Sequence, residues 1–214
     1  MTNTALSIKA KRDAELAAAS SPYNVHDHLK HLSIAELKSV SAQDRLPWHT
    51  LCLNVTGDLN VGTMIRTSHC LGASSVIIFG RQRIDQRSLV GSSNYITVDR
   101  VSAVDANYGL KAQDLHDYLH KKNLTPIFVE TGGIKLPQID WKMRIGEMSR
   151  RSSEPCLIMG NETGGTPQDI LDLRDVFANS FIVSIPQRGV IRSFNVASAH
   201  AMIALSMCAA MDWC

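Results

Sequence analysis

The sequence predicts an α/β protein with a mostly parallel sheet covered by helices on both faces, and three observations carry that expectation. From Trp48 onward, short β-branched runs alternate with helix-length segments, the pattern of strand–crossover–strand units. Four of the loops that follow those runs are rich in glycine and hydrogen-bonding side chains, as befits the carboxyl ends of parallel strands, where ligands bind. Before them lies a stretch of different composition, which Pro47 ends.

In chain order, residues 1–45 are rich in Ala, Ser, His and Lys, with helical patches "AKRDAELAAA" and "IAELKSV", and are read as a helical N-terminal extension. Residues 46–214 form the main domain. Its strands are "HTLCLNV", "SSVIIFG", "YITVDRV", "TPIFVE", "PCLIMG" and "SFIVSI". Helices are expected at 60–71, 85–91, 111–122, 167–173 and 195–212.

With 214 residues, 44% of them hydrophobic, the chain is long enough for one sizeable core. The longest apolar run, 197–211, is broken by Ser198, His200 and Ser206 and is too short and polar to span a bilayer, so no membrane association is expected. The first twenty residues hold no compact apolar segment of the signal-peptide kind. Five scattered cysteines without a CxxC pair argue for a reducing, cytoplasmic location and against a disulfide scaffold or zinc ribbon.

The net charge of +2 does not announce a nucleic-acid binder. Its placement is more telling: Arg81, Arg83 and Arg87 form one cluster, Lys142, Arg144, Arg150 and Arg151 a second, and Arg188 and Arg192 a third. Such clusters either contact phosphates or are solvated loop charge. His116 and His120 have the i, i+4 spacing of a zinc-protease helix, but Asp117 stands where that motif has its glutamate and no third ligand is spaced to join them. "HDHLKH" at 26–31 reads as polar helix surface, and no metal is expected.

The loops carry the chemistry. In "NVGTMIRT", Asn60 fits a helix N-cap, and Arg66 sits two turns into a helix whose Val61, Met64 and Ile65 look buried, so it points to an edge, a subunit interface or a site. "ETGG" follows the fourth strand. "GNETGGT", Gly160 to Thr166, puts three glycines and a carboxylate behind a buried strand. It is neither a P-loop nor GxGxxG. It is a ligand cradle or a tight turn whose Glu162 caps the next helix. In "SIPQRGVIRSFN", Pro186 ends a strand, Gly189 allows a bend, and Ser193 or Asn195 can cap the long last helix. The run "PQRGVIR" is too elaborate for helix initiation alone.

Taken in order, "NVGTMIRTSHCLGASSVIIFG", "LIMGNETGGTPQDIL" and "VSIPQRGVIRSFNVASAHAMIAL" resemble the three signature motifs of the SpoU/TrmH-type RNA ribose methyltransferases of the SPOUT superfamily. The resemblance covers roughly residues 48–212, and "IPQRGVIRSFNV" is similar to the catalytic domains that methylate the D-loop guanosine of tRNA. It implies a C-terminal deep trefoil knot, S-adenosylmethionine bound there in a bent conformation, and a homodimer whose partner completes each site. By position, Gly160, Ile185 and Phe194 would line the cofactor pocket, with Glu130 or Thr131 beside them. Arg66, Glu162, Ser193 and Asn195 would surround the reacting ribose, while Asn60, Arg66, Arg188 and Arg192 would meet RNA. Thr166 and Pro167 depart from the usual second motif, and Phe194 replaces a common leucine.

The resemblance therefore implies an RNA 2′-O-methyltransferase, with tRNA favoured over rRNA. Two other classes compete: a non-catalytic RNA-binding descendant of the fold, and a Rossmann-like nucleotide binder, which would need the phosphate loop that the chain lacks.

Overall fold

The structure is a computed structural model that describes residues 24–53, 55, 58–80, 84, 86–102 and 109–211. The patch "AKRDAELAAA" and the pair Arg81 and Arg83 lie outside the described residues. A helix, α1 (Ile34–Gln43), precedes the sheet and opens on a capping box in which Ser33 and Glu36 satisfy each other's backbone N–H groups.

The main domain then runs β1 (Leu46–Leu53), α2 (Asp58–Cys70), β2 (Ala73–Phe79), α3 (Gln86–Leu89), β3 (Thr97–Val101), α4 (Ala112–Lys121), β4 (Leu124–Lys135), α5 (Trp141–Arg150), β5 (Glu154–Met159), α6 (Gln168–Leu171), β6 (Phe181–Ser184) and α7 (Val196–Cys208). All six expected strands are present. They form one parallel sheet in the order β3-β2-β1-β5-β4-β6.

Both faces of that sheet are covered. Along β1, Trp48 and Cys52 join one apolar cluster with Val61, Met64, Ile203 and Met207 of α2 and α7. Leu51 and Leu53 join the opposite cluster with Leu115 and Leu119 of α4. Double burial explains the nearly continuous apolar strands. Each fully buried Leu, Ile or Phe side chain contributes about 1.5–3 kcal/mol.

Two local departures from the expectation shape the site. β4 runs past Glu130, where the sequence suggested that it would stop. Val129 and Ile134 both pair with Val183, so residues 130–133 are looped out of the ladder. Gly132 takes a left-handed φ of 81° there, and a Cβ on Gly133 would overlap the Ile182 carbonyl.

The second departure is α5, an unexpected helix. Asp140 caps it by accepting from Met143 N–H at 2.9 Å, and Trp141 and Met148 are buried beneath it. The basic cluster of the sequence thus lies on a helix, and Arg144 is engaged structurally, its guanidinium 4.2 Å from the centre of the Phe181 ring.

Candidate active site

β1 is central, and the strand numbering reverses across the β1–β5 pair, which marks the carboxyl ends near it as the place for a ligand. A cavity of about 440 Å3 opens there, formed by the looped-out segment of β4 and the loops after β5 and β6. Glu130, Thr131, Gly160, Ile185 and Phe194 line it, together with Glu162, Ser193, Asn195 and Arg192. Of the residues singled out in the sequence, Asn60, Arg66 and Arg188 are not in its wall.

Asn195 is the N-cap of α7: its Oδ1 accepts from Ala197 N–H at 2.9 Å and Ser198 N–H at 3.2 Å. Between the two residues the sequence left open, Asn195 is therefore the cap. Its oxygen being occupied, its Nδ2 faces outward and donates to Asn60 Oδ1 at 3.0 Å. Asn60 Nδ2 in turn donates to Glu162 Oε1. One directional chain of two side-chain amides and a carboxylate thereby ties together the start of α7, the first turn of α2 and the loop after β5.

This geometry corrects two readings. Asn60 is not an N-cap, since α2 begins at Asp58 and carries Asn60 in its first turn. Nor does Glu162 cap the helix that follows it: Pro167 stands at the N-cap of α6, which has no side-chain cap.

The loop after β5 is held from beneath. Asn161 and Gly165 exchange backbone hydrogen bonds of 3.1 and 2.8 Å, and Gly165 takes φ = 67°. Glu130 accepts from Thr131 N–H at 2.9 Å and from Thr166 N–H at 3.1 Å. It therefore fastens the looped-out segment of β4 to the end of the glycine loop. A Cβ on Gly160 would come within 2.7 Å of Thr166 Oγ1, so the two residues are matched in size. That buried hydroxyl has no hydrogen-bond partner among the described residues. Sequence reasoning missed the Glu130–Thr166 link, which depends on a bulge fixed by the β4–β6 pairing.

Arg66 stands apart. It is exposed on α2, six residues beyond Asn60 and so about 240° further round the helix and about 9 Å further along it. It lines a different cleft, with His69, Cys70 and residues of 24–45. Within one subunit the structure does not bring Arg66 to Glu162, Ser193 and Asn195. Arg188 is exposed on the loop after β6. On α4, His116 and His120 stack at 6.0 Å and His116 also meets Phe177 at 5.4 Å.

A model of the SpoU rRNA Methylase family matches residues 48–205, which contain all three loops. The chain belongs to that family. Among solved structures, this member of the SpoU family is similar to the SpoU methyltransferase AviRb from Streptomyces viridochromogenes in complex with AdoMet: 23% identity, 78% of this chain and 57% of that one, TM-score 0.58. A TrmH/SpoU tRNA modifying enzyme from A. aeolicus is 16% identical over 82% of this chain and 81% of that one, with a TM-score of 0.61. An AdoMet-bound rRNA methyltransferase from Sinorhizobium meliloti is 24% identical over 80% and 59%, with a TM-score of 0.58.

At these identities the likeness is one of fold. The chain spans less than two thirds of the AviRb and Sinorhizobium proteins. No curated protein sequence matches it. Among the described residues, no helix is long and apolar enough to cross a membrane.

Proposed function

We propose that the chain is an S-adenosylmethionine-dependent RNA 2′-O-ribose methyltransferase, acting on tRNA with a D-loop guanosine as favoured target and rRNA as the alternative. The carrying observation is that the Asn195–Asn60–Glu162 chain has both its ends, Asn195 and Glu162, in the wall of a cavity also lined by Gly160, Ile185 and Phe194. The first turn of α2, the loop after β5 and the start of α7 bear the three linked residues, and helix capping alone requires none of them to meet.

The cavity suits the cofactor. Its wall mixes apolar residues with neutral polar ones, with the carboxylates of Glu130 and Glu162 on it and Arg192 the one Lys or Arg among its lining residues, so a sulfonium meets little opposing charge. When bound, the cofactor supplies an electrophilic methyl group on an excellent leaving group. The chain's own work is alignment. Asn195 is fixed by its cap and its amide chain, and Ser193 exposes its side chain beside it; both orient the ribose hydroxyl. A guanidinium carries donors only, so Arg66 binds the neighbouring phosphate or the developing alkoxide rather than acting as a base.

In this reading Arg66 serves the site of a second copy. Its separation from Asn195 supports that, as do the exposed apolar side chains of Leu59, Val190, Ile191 and Leu205 on α2, the loop after β6 and α7. The C-terminal trefoil knot and a cytoplasmic location belong to the same proposal.

The test is methyl transfer from labelled S-adenosylmethionine to unmodified tRNA and to rRNA in parallel, with nucleoside mapping. A ribose-methylated nucleoside is expected. Label on a base would overturn the 2′-O assignment. Cofactor binding with no transfer to either RNA would favour the binding-only descendant. Mixing inactive Arg66→Ala and Asn195→Ala proteins should restore about a quarter of normal activity if subunits exchange statistically, and no restoration would place both residues in one subunit's site.

A further inference from the structure

A second cleft, of about 690 Å3, lies toward the other end of α2, within the size range of ligand sites. One wall is the segment before the sheet, with Val25, Leu29 and Val40; the other is the end of α2, with Arg66, His69 and Cys70. The first wall is fastened to β2 and to Tyr95, which lines the cleft between the two walls. Arg45 donates to Ser74 O at 3.3 Å and to Tyr95 O at 2.7 Å, and Ser41 Oγ donates to Tyr95 O at 3.2 Å.

The lining is nucleotide-like in its complementarity. Apolar side chains stand among three rings, His26, His69 and Tyr95, the last two packed 5.7 Å apart. Burial and the charge of Arg45 hold His69 below the usual histidine range, so at neutral pH it is an uncharged stacking surface. Positive charge comes from Arg45 and Arg66 against the single carboxylate of Asp44. Arg66 is exposed and makes no hydrogen bond or ion pair among the described residues. Unstacked bases are held by apolar and aromatic faces, and phosphates by guanidinium groups; here both lie in one cleft.

Building on the methyltransferase reading, we propose that this cleft is an RNA-contact site separate from the cavity. It takes the unstacked nucleotide that adjoins the one methylated in the second copy's cavity, with the base between residues 24–45 and α2 and the phosphate shared by the two nucleotides on Arg66. The N-terminal segment thereby becomes half of a substrate-reading surface.

Cys70 offers a direct probe, because it is exposed in the cleft while Cys52, Cys156 and Cys208 are buried. Burial also pushes the Cys52 and Cys208 thiols up to about 12 and raises Cys156. In a Cys214→Ser background, alkylation by iodoacetamide therefore reports on Cys70. Saturating unmodified tRNA should slow it at least about tenfold, whereas S-adenosylmethionine or GMP alone should leave it unchanged.

Val40→Glu, on the α1 wall, should weaken RNA binding about tenfold by like-charge repulsion, with the Kd for S-adenosylmethionine unaltered. Cys70→Glu, at an exposed position, makes the same test should Val40→Glu fail to fold. Unhindered alkylation while RNA is bound, or unchanged RNA affinity in a folded variant, overturns the proposal. Protection by GMP equal to that by RNA overturns it in favour of a small-nucleotide site. If RNA protects Cys70 yet no RNA is methylated, the cleft stands and the activity falls.

Discussion

Two polar triads join the same pair of helices, α2 and α7, and they differ in one respect, water. In the core, Thr50 Oγ1 lies 2.8 Å from Ser68 Oγ and 2.9 Å from His200 Nε2, and all three residues are fully buried. At the cavity, Asn60, Glu162 and Asn195 are linked in the same manner but in solvent reach. An unsatisfied group in a dry core costs about 1–3 kcal/mol, whereas at an open site water replaces the lost partner. The buried triad should therefore govern stability, and the open one geometry. Substituting each in turn separates the two roles.

His200 should give the largest effect. Burial holds it well below its usual range, at about 4 against 6.5, so the folded chain keeps it neutral where the unfolded chain takes up a proton. Stability should be full above about pH 6.5 and decline as pH falls toward 4, by up to about 3 kcal/mol. His200→Ala should cost about 3 kcal/mol at pH 7 and flatten that acid slope. Urea unfolding at several pH values measures both; a slope that persists in His200→Ala would assign it to other groups. Neither condition should alter cofactor affinity in the fraction still folded.

Asn195→Ala comes next, acting at the other triad. It removes a cap and the head of the amide chain, so methyl transfer should fall about a hundredfold, with a loss of about 1 kcal/mol in stability. Equal losses in both would mean that the residue is only a cap. Glu162→Gln keeps an acceptor for Asn60 while removing the charge, and should cost about tenfold in turnover. An unchanged rate would reduce Glu162 to a hydrogen-bond partner.

These contrasts also mark what the sequence could convey. Strands were legible because double burial makes them apolar throughout, and the three loops because glycine, asparagine and carboxylate concentrate behind them. The helix α5 was legible in principle, from Asp140 followed by Trp141, Ile145 and Met148 at helical spacing. Its basic side chains were read as either a phosphate contact or solvated loop charge, and Arg144 instead packs on Phe181. His200 registered only as a polar break in an apolar run; its role depends on Thr50 and Ser68, which lie 150 and 132 residues away in sequence. Likewise, helical spacing set the direction of Arg66 only against the buried Val61, Met64 and Ile65, and the wall it meets comes from residues 24–45, whose docking no local pattern encodes.

The finest test uses one substitution from each triad on the same helix. Ser68→Ala removes a buried hydroxyl, but Thr50 keeps His200 as a partner, so only about 1 kcal/mol should be lost and methyl transfer should be untouched. Asn60→Ala, two turns earlier, leaves Glu162 and Asn195 open to water. Its stability should stay within about 0.5 kcal/mol of the parent, while kcat falls several-fold because the Asn195 amide is no longer held in one orientation. Thermal unfolding and single-turnover methyl transfer on both proteins give four numbers. A crossed pattern, stability lost in one and rate in the other, is expected. If Asn60→Ala were instead the less stable protein with an unaltered rate, the open triad would be a structural clasp, and the cavity's alignment would have to come from Ser193 and the partner's arginine.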